Sequence, residues 1–137
     1  EKKGLEINAW CLMSNHLHLV ARANDTSRLS DIIRDFKKWT ARCIIEWLQQ
    51  DGESRREWID YRFRFHGKFR KNVDVYHIWT DDNHPIVLTN EEIFFQKVHY
   101  THLNPVRAGI VELPEHYLHS SARDYCGQKG LVSVIVP

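Results

Sequence analysis

The stretch Leu5-Glu6-Ile7-Asn8-Ala9-Trp10-Cys11-Leu12-Met13-Ser14-Asn15-His16-Leu17-His18-Leu19-Val20-Ala21-Arg22-Ala23 sets the fold class. Residues 5–13 are an apolar, β-leaning run, Ser14-Asn15 interrupts it, and residues 16–23 alternate. A period of two marks a strand with two unlike faces, and a short polar break between such runs marks a tight turn. The reading is two adjacent antiparallel strands. His16 and His18 stand two apart on the second, so both project from one face, with Leu17 and Leu19 on the other, the expected core side. Two imidazoles side by side on a rigid strand make a good ligand pair for a divalent metal. Two solvated or hydrogen-bonded histidines give the same spacing, and His-x-His alone favours that plainer outcome.

Working outward, Asn24-Asp25-Thr26-Ser27 is a capping loop. It opens a long helix over roughly residues 28–49, striped by Leu29, Ile32, Ile33, Phe36, Ile44, Ile45 and Leu48, and Asp51-Gly52 ends it. A second helix spans about 53–66, with Gly67 as its stop. Residues 75–80, VYHIWT, read as a short strand, 81–85 as a turn and 86–88 as another extended piece. Thr89-Asn90-Glu91-Glu92 is a helix-start signature. That helix should run to about Leu103, because Pro105 biases Asn104 away from the α region. The apolar tail LVSVIVP is a candidate last strand. The fold class is α+β.

The chain has 137 residues, 42% hydrophobic and 27% charged, which suits one soluble domain over residues 1–137. No apolar run approaches the ~20 residues of a membrane span, and Glu1-Lys2-Lys3-Gly4 does not read as a signal peptide. Cys11, Cys43 and Cys126 are odd in number and lack CxxC spacing, which points to a reducing cytoplasm and away from a cysteine zinc site. Formal net charge is only +1, yet the charges are unevenly placed. Arg55, Arg56, Arg62, Arg64, Lys68, Arg70 and Lys71 stand against Glu57 and Asp60, interleaved with Trp58, Tyr61, Phe63, Phe65 and Phe69. Such a segment suits phosphate gripping with base stacking, and equally an amphipathic helix with buried rings and solvated arginines.

At ~100° per residue, Phe94, Phe95, Val98, Thr101 and His102 share one side of the helix at 90–104, while Ile93, Gln96, Lys97, Tyr100 and Asn104 lie nearly opposite. Tyr100 and Asn104 are therefore one turn apart on a face that need not be core. A tyrosine serves as a covalent nucleophile where a metal or base activates its phenol. From periodicity alone a surface tyrosine packing its ring on a neighbour is the commoner outcome.

Taken together, these blocks resemble one family. Residues 10–20, WCLMSNHLHLV, resemble the histidine–hydrophobe–histidine signature of HUH-type single-tyrosine transposases. Residues 100–111, YTHLNPVRAGIV, resemble the catalytic-tyrosine block of the REP-associated branch of these IS200-like transposases. Residues 119–125, HSSARDY, resemble its serine-serine block, and 78–85, IWTDDNHP, its tryptophan-containing turn. The resemblance implies a ferredoxin-like sandwich and metal-dependent cleavage and rejoining of single-stranded, hairpin-associated DNA. Tyr100 would be the nucleophile and form a 5′-phosphotyrosine link. His16 and His18, with Asn104 completing the site, would hold Mg²⁺ or Mn²⁺. The basic segment from Arg55 to Lys71 would contact DNA.

Two departures accompany the resemblance. Ser14 stands where the family has proline, and the chain begins near the end of the family's first helix. The family's first strand and helix are thus expected to be omitted, supplied by a partner chain, or lost. A monomer and a homodimer both fit. Rival readings are a domesticated hairpin-DNA-binding module without cleavage, and a replication-initiator or relaxase-type nicking enzyme, against which the tyrosine block argues.

Overall fold

A computed structural model describes residues 4–50, 54–67, 76–80 and 83–137. Strands β1 (Leu5–Leu12) and β2 (Leu17–Ala23) are followed by helices α1 (Leu29–Leu48), α2 (Arg56–Gly67) and α3 (Glu91–Arg107), a 3₁₀ turn at Pro114–His116 and the short α4 (Ala122–Tyr125). The described residues are thus α+β, with a two-stranded antiparallel sheet. They divide into two compact units, Glu1–Ile32 with Ile86–Pro137, and Ile33–Pro85. No described helix is long and apolar enough to cross a membrane. Cys11, Cys43 and Cys126 are free thiols.

In the first unit the hairpin forms as the alternation predicts. Leu12 pairs with Leu17 and Cys11 with His18, and Met13 N donates to His16 O (2.9 Å), closing the Ser14-Asn15 turn. At the far end Asn24 N donates to Gly4 O, and Thr26 N and Oγ1 both donate to Asn24 Oδ1. The buried cluster is Ala9, Val20 and Val98, with Leu88, Phe94 and Tyr125 packed against it. Val20 shares its face with His18, so α3 covers the histidine face rather than the Leu17–Leu19 face expected to be core. Leu17 and Leu19 are only half-buried.

The outer edge of β1 is closed from the far end of the chain. Leu12 N donates to His119 O (2.9 Å), Ser121 N to Trp10 O (3.0 Å) and Ile135 N to Ile7 O (2.8 Å). The apolar tail therefore meets β1 at Ile135, whose carbonyl also accepts from Asn8 Nδ2 (3.0 Å), without forming the last strand expected of it. Ser120 and Ser121 are fully buried, and Ser121 Oγ accepts from Trp10 N (2.9 Å). Their burial makes the serine pair part of the packing against β1.

Helix α3 starts where the signature predicts: Asn90 Oδ1 accepts from Ile93 N (2.8 Å). It ends later than predicted, at Arg107, with Pro105 inside it. The ring removes the backbone donor that would serve Thr101 O; Asn104 Nδ2, which donates to Tyr100 O (2.8 Å), approaches that carbonyl at 3.5 Å. A Schellman end follows, with Ile110 N donating to Pro105 O and Gly109 N to Val106 O, and Gly109 at φ +69°.

In the second unit residues 76–80 are not the strand expected of VYHIWT. Their aromatic side chains instead pin helices. Trp79 Nε1 donates to Thr40 Oγ1 (2.9 Å) on α1, while Tyr76 Oη donates to Asp60 Oδ1 (2.7 Å) on α2. Val75 and the turn residues Asp81 and Asp82 lie outside the described residues, and residues 86–88 form no regular element.

Candidate active site

Four of the sequence-predicted residues converge within the first unit. His16 Nε2 lies 3.0 Å from His18 Nε2, and the two rings stand edge to face at 4.7 Å between centroids. The His18 ring stands edge to face with Tyr100, at 5.7 Å. Alternation puts His18 on the face that α3 covers, and α3 brings Tyr100 opposite it. Tyr100 is 42% exposed, so its phenol is open to a solute.

The hydrogen bonds set the imidazole states. His16 Nδ1 lies 2.6 Å from Asn15 Oδ1, an oxygen that only accepts, so Nδ1 carries the proton and donates. His16 Nε2 faces His18 Nε2. His18 is held below the ordinary histidine pKa by burial and by the charge of His16, with a hydrogen bond to the Asn104 side chain acting in the opposite sense. Asn104 Nδ2 is committed to Tyr100 O, which leaves its amide oxygen to serve that bond. Asn15 was not among the predicted site residues, although its place beside His16 is the signal that would have found it.

A divalent cation fits this donor set. Two ligands about 2.1 Å from one cation and at right angles to it lie about 3.0 Å apart, the separation of the two Nε2 atoms. Among the described residues no group of three or more His, Cys, Asp or Glu forms a fuller site. Further ligands would be the Asn104 side chain, water and substrate oxygens.

Two cations frame the tyrosine. Arg107 Cζ lies 5.0 Å, and Lys97 Nζ 5.8 Å, from the Tyr100 ring centroid. Sequence reasoning placed Lys97 on this face and missed Arg107, which lies two turns beyond Tyr100 and past the proline taken as the helix end.

The DNA-contact residues predicted on α2 belong to the second unit. Arg55, Arg56 and Arg62 are exposed, and Arg62 sits over the Trp58 ring at 5.7 Å. Arg64 is tied down: Nε donates to Asp60 Oδ2 (2.7 Å) and Nη2 to Tyr76 Oη (2.6 Å). The Tyr76 and Arg64 bonds hold Asp60 below the usual carboxylate range. Trp58 and Tyr61 are each 62% exposed and Phe65 43%, so these three rings are not the buried face of an amphipathic element, while Phe63 is half-buried. Lys68, Arg70 and Lys71 lie outside the described residues, as does Phe69.

The first unit is thus an antiparallel hairpin whose paired histidines face a tyrosine on a covering helix. Residues 1–60 match the family model described as Transposase IS200 like. The matched stretch includes the hairpin and α1 and stops before α3; over it the chain is similar to a transposase and so to a DNA-acting protein. No curated protein and no solved structure matches the chain.

Proposed function

We propose that the chain is a metal-dependent single-stranded DNA transposase that cleaves and rejoins hairpin-associated DNA through a 5′-phosphotyrosine intermediate. One observation carries the reading: the His16–His18 pair, set for a cation, stands edge-on to the exposed Tyr100. In the cleavage step the Tyr100 oxygen bonds to phosphorus and the bond from phosphorus to the 3′ oxygen breaks. The phenol proton passes to solvent and the departing 3′ oxygen takes one up, so charge and protons balance. The ester formed is close in energy to the one broken, so rejoining needs no nucleotide cofactor. A Mg²⁺ or Mn²⁺ ion held by His16 and His18 would stabilise charge on the non-bridging oxygens. Asn104 stands one turn from Tyr100, its Nδ2 donating to Tyr100 O, and its side chain acts on His18, where it would complete the metal site. The exposed Trp58, Tyr61 and Phe65 offer stacking faces for unpaired bases, and Arg55, Arg56 and Arg62 offer charge for phosphates. The same reading takes the hairpin and α3 as part of a ferredoxin-like sandwich in a cytoplasmic protein.

The test uses hairpin oligonucleotides labelled at the 5′ or 3′ end, incubated with the protein and Mn²⁺ and run on a denaturing gel. A protein-shifted band carrying only the 3′-labelled fragment, absent on chelation and absent in Tyr100→Phe with DNA binding nearly unchanged, is expected. Equal loss of adduct and binding in that variant refutes the nucleophile assignment. Hairpin binding without cleavage is the second reading, favoured by a sheet of only two strands among the described residues. Retention on a native gel with no adduct would establish it.

A further inference from the structure

We propose that Lys97 and Arg107 form a phosphate-holding pair that seats the scissile phosphodiester against the Tyr100 phenol. The inference rests on the reading of Tyr100 as the nucleophile and assigns two positioning residues to the same site. At about 100° per residue, Lys97, Tyr100, Asn104 and Arg107 fall within about 80° of one another around α3. That face therefore carries cation, phenol, amide and cation in order, while Val98, Thr101, His102 and Pro105 are buried on another.

Both cations reach the ring, Arg107 at 5.0 Å and Lys97 at 5.8 Å. Neither is spent elsewhere: among the described residues no carboxylate pairs with Lys97 or Arg107. A guanidinium resting on an aromatic face keeps its N–H edge free, and that edge matches two oxygens of a phosphate. Lys97, half-buried, supplies a point charge 5.8 Å from the ring centroid. The histidines address the phosphate from the strand side, and without these two side chains nothing described on α3 would offset its charge. A rival role for Arg107, complementing the helix dipole in the last turn, needs no anion and gives no salt dependence in DNA binding.

The experiment is carried out in the Tyr100→Phe protein, which keeps the ring and removes the chemistry. Binding of a single-stranded oligonucleotide is followed by fluorescence anisotropy across a salt series, with Lys97→Gln, Arg107→Met and Arg107→Lys added in turn. Arg107→Met retains the stem over the ring, so packing survives loss of charge. Each neutral variant is expected to weaken binding several-fold and to reduce the slope of log affinity against log salt by about 0.7, the value for one phosphate contact on a single strand. Arg107→Lys should preserve the slope. Unchanged slopes in both neutral variants overturn the pair, as does an oligonucleotide that fails to bind the parent at all. Covalent adduct from the protein with Tyr100 intact is read separately. Adduct with unchanged slopes sinks the phosphate pair alone. Reduced slopes without adduct sink the nucleophile reading and leave Lys97 and Arg107 as DNA contacts.

Discussion

His102 illustrates how one residue ties the site helix to the sheet edge. It lies buried on α3 with Nε2 2.8 Å from Ser121 Oγ and its ring against Tyr125. Burial, and next the charge of His99, push its pKa down to about 4, against a smaller opposing effect of Asp124. The folded protein therefore keeps His102 neutral where the unfolded chain, titrating near 6.5, is protonated. Its contribution to stability is complete above about pH 6.5 and is lost as pH falls from there toward 4, to the extent of about 3 kcal/mol. Denaturant unfolding at a series of pH values should show this slope, and His102→Gln should flatten it; an unchanged slope would assign the acid sensitivity elsewhere. Cys11 answers to the same burial: its thiol is pushed up to about 11, which suits a small core group and not a reactive one.

At the scale of elements, α3 depends on how it ends. Gly109 adopts φ +69°, and a Cβ built there would meet nothing within 4 Å, so Gly109→Ala isolates the backbone cost. That cost is about 1 kcal/mol, measurable as a lower denaturation midpoint with the Tyr100 site otherwise intact. An unchanged midpoint would mean that the Schellman end is not needed. The same helix shows what the sequence makes legible. Its start, its tyrosine face and the His16–His18 pair follow from capping chemistry and from periods of 3.6 and two, all local. Its end does not, because the helix runs through Pro105 to a Schellman end at Gly109, which the local rule for proline does not anticipate. Nor does alternation say which sheet face is covered. The larger side chains Leu17 and Leu19 pointed one way, while the small Ala9 and Val20 take Val98 of the helix on the other. The exposure of Trp58, Tyr61 and Phe65 was likewise undecidable from α2 alone, since an aromatic stripe fits a core face or a stacking face equally.

For the whole molecule, the decisive contacts join residues more than a hundred positions apart. Trp10 exchanges hydrogen bonds with Ser121, Tyr117 Oη donates to Leu12 O (2.9 Å) and Tyr125 Oη to Asn8 O (3.0 Å). The second unit, Ile33–Pro85, is inserted between the two parts of the first. Removing residues 117–137 should therefore abolish the cooperative unfolding transition of the first unit, read by near-ultraviolet circular dichroism around Trp10. Retention of that transition would show that the hairpin and α3 suffice.

The stitching of β1 to the serine segment also sets a clock on the ribosome. Ser121, which bonds Trp10 of β1 in the folded protein, is synthesised roughly a hundred residues after the hairpin. At about 5–20 residues per second Trp10 waits several seconds for that partner. A truncated translation product would consequently carry His16 and His18 without the serine segment that docks on β1 in the folded protein.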